Sequence, residues 1–307
     1  FIEGLSQTKQ AMFITVLFNL LNIGLNYLLI YGNWGFPELG LNGAGWATLI
    51  SRVLMAWVLY LYVTRSKRYE KYIRSIKLKQ IRFSIIKKML GIGIPTGLQF
   101  VFEVGAFSSA AIMMGWIGVN ALAAHQIAIN LASISYMMAS GLSAAAMVRI
   151  GNQLGRRDIP KLREVGFSIF GNVLIFMSFF AVMFLIFKNY LPLLYIEDSQ
   201  VVEMAANLLV IAAVFQLSDG LQVVALGALR GLSDVKVPTL VTLLAYWVVG
   251  LPLGYLLAFK FHYNELGIWF GLLIGLTLTA IMLFYRFHSL SLKLQKEISR
   301  PETVSLH

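Results

Sequence analysis

With 58% hydrophobic and 13% charged residues over 307 positions, and a mean hydropathy of +0.75, the chain is not a soluble globular domain, where about a quarter of residues carry charge. There is no Cys, which removes disulfides, thiolate metal sites and thiol catalysis. A formal net charge of +11 would suggest nucleic acid in a soluble protein, so what matters next is where that charge lies.

Membrane crossing by a helix takes about 20 predominantly apolar residues. In chain order, eight stretches qualify: 10–31, 43–64, 90–117, 121–148, 163–188, 203–229, 237–259 and 266–288. They are continuous and rich in Leu, Ile and Met, without the alternation of barrel strands. Only helices and closed barrels satisfy the backbone in lipid, so the expected class is an all-α membrane protein. Some connections are very short, such as Gly118-Val119-Asn120, and make antiparallel neighbours.

Of the 25 Lys and Arg, ten lie between Thr64 and Met89, five between Arg149 and Arg163, two between Arg230 and Lys236, four after Phe284, and Lys9 precedes the first span. These segments alternate along the chain and so share one face, while Lys188 and Lys260 mark the other. Positive-inside sorting places the basic face and both termini in the cytoplasm. The same sorting accounts for the basic run without nucleic acid. Its Ile, Leu and Phe positions suit an amphipathic segment on the anionic leaflet.

The chain repeats itself. Gly4-Leu5-Ser6-x-x-Lys9 returns as Gly231-Leu232-Ser233-x-x-Lys236, and Glu38-Leu39-Gly40-Leu41 as Glu265-Leu266-Gly267-Ile268, both at an offset of 227. Tyr27-Leu28-Leu29 matches Tyr255-Leu256-Leu257 at 228. Spans one and two therefore read as copies of spans seven and eight. A complete first repeat of equal length would begin roughly 140 residues before Phe1. The expectation is a twelve-helix, two-lobe (6+6) transporter with parallel repeats, of which this chain holds eight helices. Residues 1–64 are then the last two spans of the N-lobe, 65–89 a cytoplasmic basic inter-lobe loop, 90–288 a complete six-span C-lobe and 289–307 a cytoplasmic tail.

Charges inside spans are costly and point to function. Glu103 is central in span three, on a stripe with Thr96 and Gln99; Asp219 is central in span six, flanked by Gln216 and Gln222. Span four carries Gln126, Asn130, Ser133 and Tyr136, and span one Thr15, Asn19, Asn22 and Asn26. Interhelical hydrogen bonding is the simpler account of the amides and hydroxyls. For the two carboxylates it is weaker, because a buried ionised carboxylate needs a cation or a proton, and spans three to eight show no interior Lys or Arg to supply one. A mobile cation or a proton is the natural partner. Arg52, inside span two, reads as a structural pair with a carboxylate or carbonyl, and His125 as structural. Phosphate loops, nucleophile elbows and His–Glu metal helices are missing from the sequence, so neither an enzyme nor a bound cofactor is expected, nor any metal beyond a monovalent cation.

At these residues the sequence resembles the multidrug and toxic compound extrusion (MATE) family, in its bacterial NorM-like branch. The resemblance is carried by Asn19-Leu20-Leu21-Asn22-Ile23, Gly43-Ala44-Gly45-Trp46-Ala47-Thr48, Gly93-Ile94-Pro95 through Glu103, Ala124-His125-Gln126, Arg149-Ile150-Gly151-Asn152-Gln153 and Gly227-Ala228-Leu229-Arg230-Gly231. It implies a secondary transporter that rocks two lobes to expel organic cations and drugs against entering Na⁺ or H⁺. The family's ion-site acids fall on Glu103 and Asp219, its aromatic over the cation on Tyr136, and the polar cluster of its first lobe on Asn22, Asn26 and Thr48. Gln99, Gln126, Asn130, Gln216 and Gln222 are the cavity polar candidates. A monomer is expected, in contact with lipid and small cations. The alternatives are a lipid-linked oligosaccharide flippase of the same superfamily, which needs a cationic cleft, and an inactive truncated relic.

Overall fold

The computed structural model describes residues 2, 5, 8–71 and 82–299. Outside them lie Gly4 and Ser6 of the first repeat motif, the middle of the basic segment at 72–81, and the end of the tail from 300. Every expected span is a helix: α1 (Thr8–Tyr31), α2 (Gly40–Arg65), α3 (Phe83–Ile117), α4 (Val119–Gly155), α5 (Ile159–Phe187), α6 (Ser199–Gly231), α7 (Lys236–Lys260) and α8 (Asn264–Ser299). Among the described residues there is no strand. All eight helices are long and apolar enough to cross a bilayer, and the chain is a multi-pass membrane protein.

Several helices outrun the apolar stretches that announced them. α3 begins at Phe83 rather than 90, and α8 continues to Ser299, past the expected end at 288. Backbone hydrogen bonding does not stop where side chains turn polar. Asp158 caps α5 by accepting from the Lys161 amide, and Asp198 caps α6 by accepting from those of Gln200 and Val201, each satisfying otherwise orphaned donors.

The chain divides into two compact units, Phe1–Ile86 and Lys87–His307. In the first, α1 and α2 form a hairpin. Its turn needs Gly32, at φ 66 with the Glu38 amide 3.0 Å from where a Cβ would stand, and the Leu39 amide then donates to the Leu29 carbonyl at 3.0 Å.

In the second unit α6 runs through the middle, in contact with α4, α5 and α8. Small residues let these helices approach, as expected where lipid offers apolar groups no incentive to leave it. Gly227 packs against the Ser143 backbone, and the Ser143 hydroxyl donates to the Val223 carbonyl at 2.6 Å. One apolar core gathers around Leu208, Leu209, Phe215 and Trp269; a second gathers around Ile150, Phe170, Leu229 and Phe287. Between them, along α6, lies the polar run from Gln216 to Gln222. The polar run of α6 is thus set between two apolar layers.

α7 departs from a uniform helix. An α-helical start (Lys236–Leu243) gives way to a π-helical stretch at Leu244–Gly250, an α-helical turn at Leu251–Tyr255 and a second π-helical stretch at Leu256–Lys260. Pro252 has no amide to give, and the preceding amide, of Leu251, reaches five residues back to Tyr246.

Candidate functional site

α3, α4 and α6 enclose a cavity of about 310 Å³, within the range of small-molecule sites. Glu103 comes from α3, Gln126, Ser133 and Tyr136 from α4, and Asp219 from α6; Phe100, Phe107 and Phe215 supply aromatic wall. Glu103 is 6% and Asp219 3% exposed.

The two carboxylates are held differently. Glu103 Oε1 accepts from Gln222 Nε2 at 3.3 Å, and Gln222 Oε1 accepts from the Tyr246 hydroxyl at 2.9 Å. This relay fixes Glu103 against α6 and α7 through a neutral amide, without neutralising it. Among the described residues no side chain donates to Asp219 and neither acid forms an ion pair. An ionised carboxylate so buried costs several kcal/mol unless a cation or proton joins it.

Of the cavity polar candidates, Gln126 lines the space and the others do not. Gln222 stands behind Glu103 in the relay just described. Gln216 is fully buried and accepts from the Ser135 hydroxyl at 2.7 Å. Gln99 is buried too, its Oε1 taken by Arg230 Nη2 at 3.2 Å. Asn130 is exposed and accepts from the Tyr195 hydroxyl at 3.1 Å. Asn130 lies one turn along from Gln126, on the edge of the stripe away from Tyr136.

Arg230 corrects the sequence reading. Expected in a cytoplasmic loop, it forms the last turn of α6 and reaches back among the helices. It is half-buried, stands 5.0 Å over the Phe100 ring and bonds Gln99. This unit therefore does hold an interior cation. That cation engages an amide and a ring, and leaves both carboxylates unpaired. Spacing carried the signal: Asp219, Gln222, Leu226 and Arg230 fall at i, i+3, i+7 and i+11, one helical face.

His125 was read as structural, and it too lies in the cavity wall. Trp269 Nε1 donates to its Nδ1 at 3.2 Å, and the Trp269 ring packs on Phe215 with centroids 5.7 Å apart. His125, Ile129, Ala132 and Tyr136 share one stripe of α4, a pattern legible in the sequence.

In the first unit, Asn19, Asn22, Thr48, Ser51 and Arg52 line a crevice of about 20 Å³, room for one or two waters at most. Asn26 Nδ2 donates to Asn22 Oδ1 at 3.2 Å, and Thr48 back-bonds to the Ala44 carbonyl at 2.9 Å. The expected Asn22, Asn26 and Thr48 cluster is therefore spatial, with Asn26 one turn beyond the crevice. Arg52 makes no ion pair among the described residues and is exposed.

The MatE family model matches residues 95–256. The chain is 36% identical over 291 residues to the "Probable multidrug resistance protein NorM" of Xylella fastidiosa, covering 95% of this chain and 62% of that protein. It is 37% identical over 296 residues to the "Multidrug resistance protein MdtK" of Yersinia pseudotuberculosis, covering 92% of this chain and 63% of that one. The chain thus spans a little under two thirds of the length of these relatives. Among solved structures, the eukaryotic MATE transporter AtDTX14 superimposes with a TM-score of 0.84 at 22% identity, over 97% of this chain and 66% of that one. An outward-facing MATE family transporter gives 0.82 at 22%, over 94% and 64%.

Proposed function

The chain belongs to the MatE family, and on that premise we propose that it works in secondary active efflux of organic cations and drugs, driven by Na⁺ or H⁺ entering a bacterial cell across its inner membrane. One observation carries this reading: Glu103 and Asp219 line one aromatic-walled cavity, both buried and neither in an ion pair among the described residues. A monovalent cation or protons settle there in one phase of the cycle, and an organic cation in the other. Tyr136, Phe100 and Phe107 offer ring faces that attract a cation stripped of water. Exchange follows from the difference in affinity between the states open to each side; a ligand held equally by both would drive nothing. The names of the NorM and MdtK relatives, both multidrug resistance proteins, agree with this cargo.

The residues lining the cavity include no Lys or Arg, which speaks against the pyrophosphate of a lipid-linked oligosaccharide as cargo. The positive-inside pattern supports cytoplasmic termini, with a monomer as the working unit.

The test is efflux of a cationic dye from vesicles containing the protein, with Na⁺ and pH gradients imposed separately. Glu103→Gln and Asp219→Asn should each abolish dye movement under whichever gradient drives it, while the protein still elutes as a folded species. Undiminished efflux in both variants removes the coupling role from these acids.

A further inference from the structure

His125 is 2% exposed, lies in the wall of the cavity and is bonded on one nitrogen only. The indole N–H of Trp269 can only donate, so Nδ1 of His125 must accept and carries no proton. The proton of the neutral imidazole is thereby fixed on Nε2, which has no protein partner among the described residues. Nε2 is not among the buried polar atoms sealed off without a partner, and the cavity that His125 lines is where it has access to an acceptor. Trp269 is itself locked, packed at a tilt on Phe215 and fully buried, so the tautomer is a built feature and not a passing one.

We infer that His125 is a specificity-determining residue: its Nε2–H receives a carbonyl-type hydrogen-bond acceptor on the transported molecule, so that the preferred substrate is an organic cation that also bears such an acceptor. This rests on the efflux reading above and adds a second anchor to it. The cationic end lies at Asp219 and Glu103. The acceptor end lies near Phe215 and Trp269, and Phe215 precedes Asp219 by four residues, roughly 6 Å along the axis of α6. A rigid molecule with an onium group at one end and a carbonyl one ring away has about that span. Gln126, next to His125 in the wall, offers both a donor and an acceptor for whatever else the polar end carries.

The probe is a pair of cations, 4-acetylphenyltrimethylammonium and its 4-isopropenyl isostere, which differ only in a carbonyl oxygen against a methylene. Their equilibrium binding to the purified protein in lipid nanodiscs is compared. The ketone should bind about two- to tenfold more tightly, the worth of one net hydrogen bond, although its oxygen has to leave water. In His125→Phe that ratio should fall to one or below; in His125→Gln, which keeps a donor, it should persist in part. Trp269→Phe, which frees Nδ1 and lets the imidazole proton move, should weaken it. Equal binding of the two cations by the wild-type protein, a comparison that needs no variant, overturns the inference while leaving the efflux reading intact. A ratio that survives His125→Phe does the same. If neither cation binds, the cation-binding reading fails, and the role of His125 fails with it.

Discussion

The first hairpin, α1–α2, and the last, α7–α8, carry one repeated sequence. Both bring their backbones together near the turn, at Gly43 against Leu29 and at Gly267 against Leu257 and Ala258, and they part company further along. Aligned by their shared motifs, Asn22, Asn26 and Thr48 correspond to Gly250, Gly254 and Gly275. In the last hairpin the two backbones touch: at Gly271 a Cβ would run into the Gly254 Cα and stand 2.5 Å from the Gly250 carbonyl, and Gly250 lies against Gly275. In the first, amides and a hydroxyl occupy those positions and hold a narrow polar crevice open. Ser51 Oγ in the crevice, and Asn26 Oδ1 one turn beyond it, are buried without a partner among the described residues. One copy has spent the repeat on packing. The other keeps buried polar groups, which cost stability and suit a place where polar contacts are made and broken.

The largest test of that contrast is Gly271→Val. Its branched side chain has to displace the backbone of α7, which overpacking places at about 3 kcal/mol; Ala44→Val, the same position in the first hairpin, should cost far less. Thermal unfolding in detergent, followed by the surviving folded peak, reads both. Comparable losses would mean the two hairpins are closed alike. Tyr246→Phe should cost about 1 kcal/mol, since it removes the donor to Gln222 without changing shape, and it should loosen the Glu103 relay enough to change the dependence of efflux on coupling ion. An unchanged ion dependence would show that the relay is not what sets Glu103. Smallest is Ser51→Ala, which deletes an unpaired hydroxyl and should leave the melting temperature within the effect of about 0.5 kcal/mol. A clear loss would mean that this hydroxyl is bonded in the membrane.

How far the sequence carried these conclusions depended on the length of the pattern involved. The spans were legible because each is a long run of apolar side chains, and their termini were not, because helices continue into polar surroundings. Glu103 and Asp219 stood out, since one charge in an apolar run is conspicuous wherever the neighbours lie. Arg230 was misplaced because it was judged by its local segment, a loop edge, whereas His125, read as structural, is indeed buried and bonded by Trp269 and lines the cavity as well. The helical face shared with a carboxylate or with Tyr136 was the better guide. Asn130 failed the other way, since a polar residue near the expected stripe was taken by Tyr195 on a different element. Pro252 hinted that α7 is irregular, but the π-helical turns of α7 depend on its partners and no motif announces them.

Those wide turns have one more consequence. A rod of constant pitch offers its neighbours a single seam, whereas α7 changes pitch along its length and so turns successive side chains toward different helices. Thr239 and Trp247 bond carbonyls of α3, Tyr246 reaches α6, and Gly250 and Gly254 lie against α8. One irregular strut thereby braces three others, including the helix on which Glu103 is mounted.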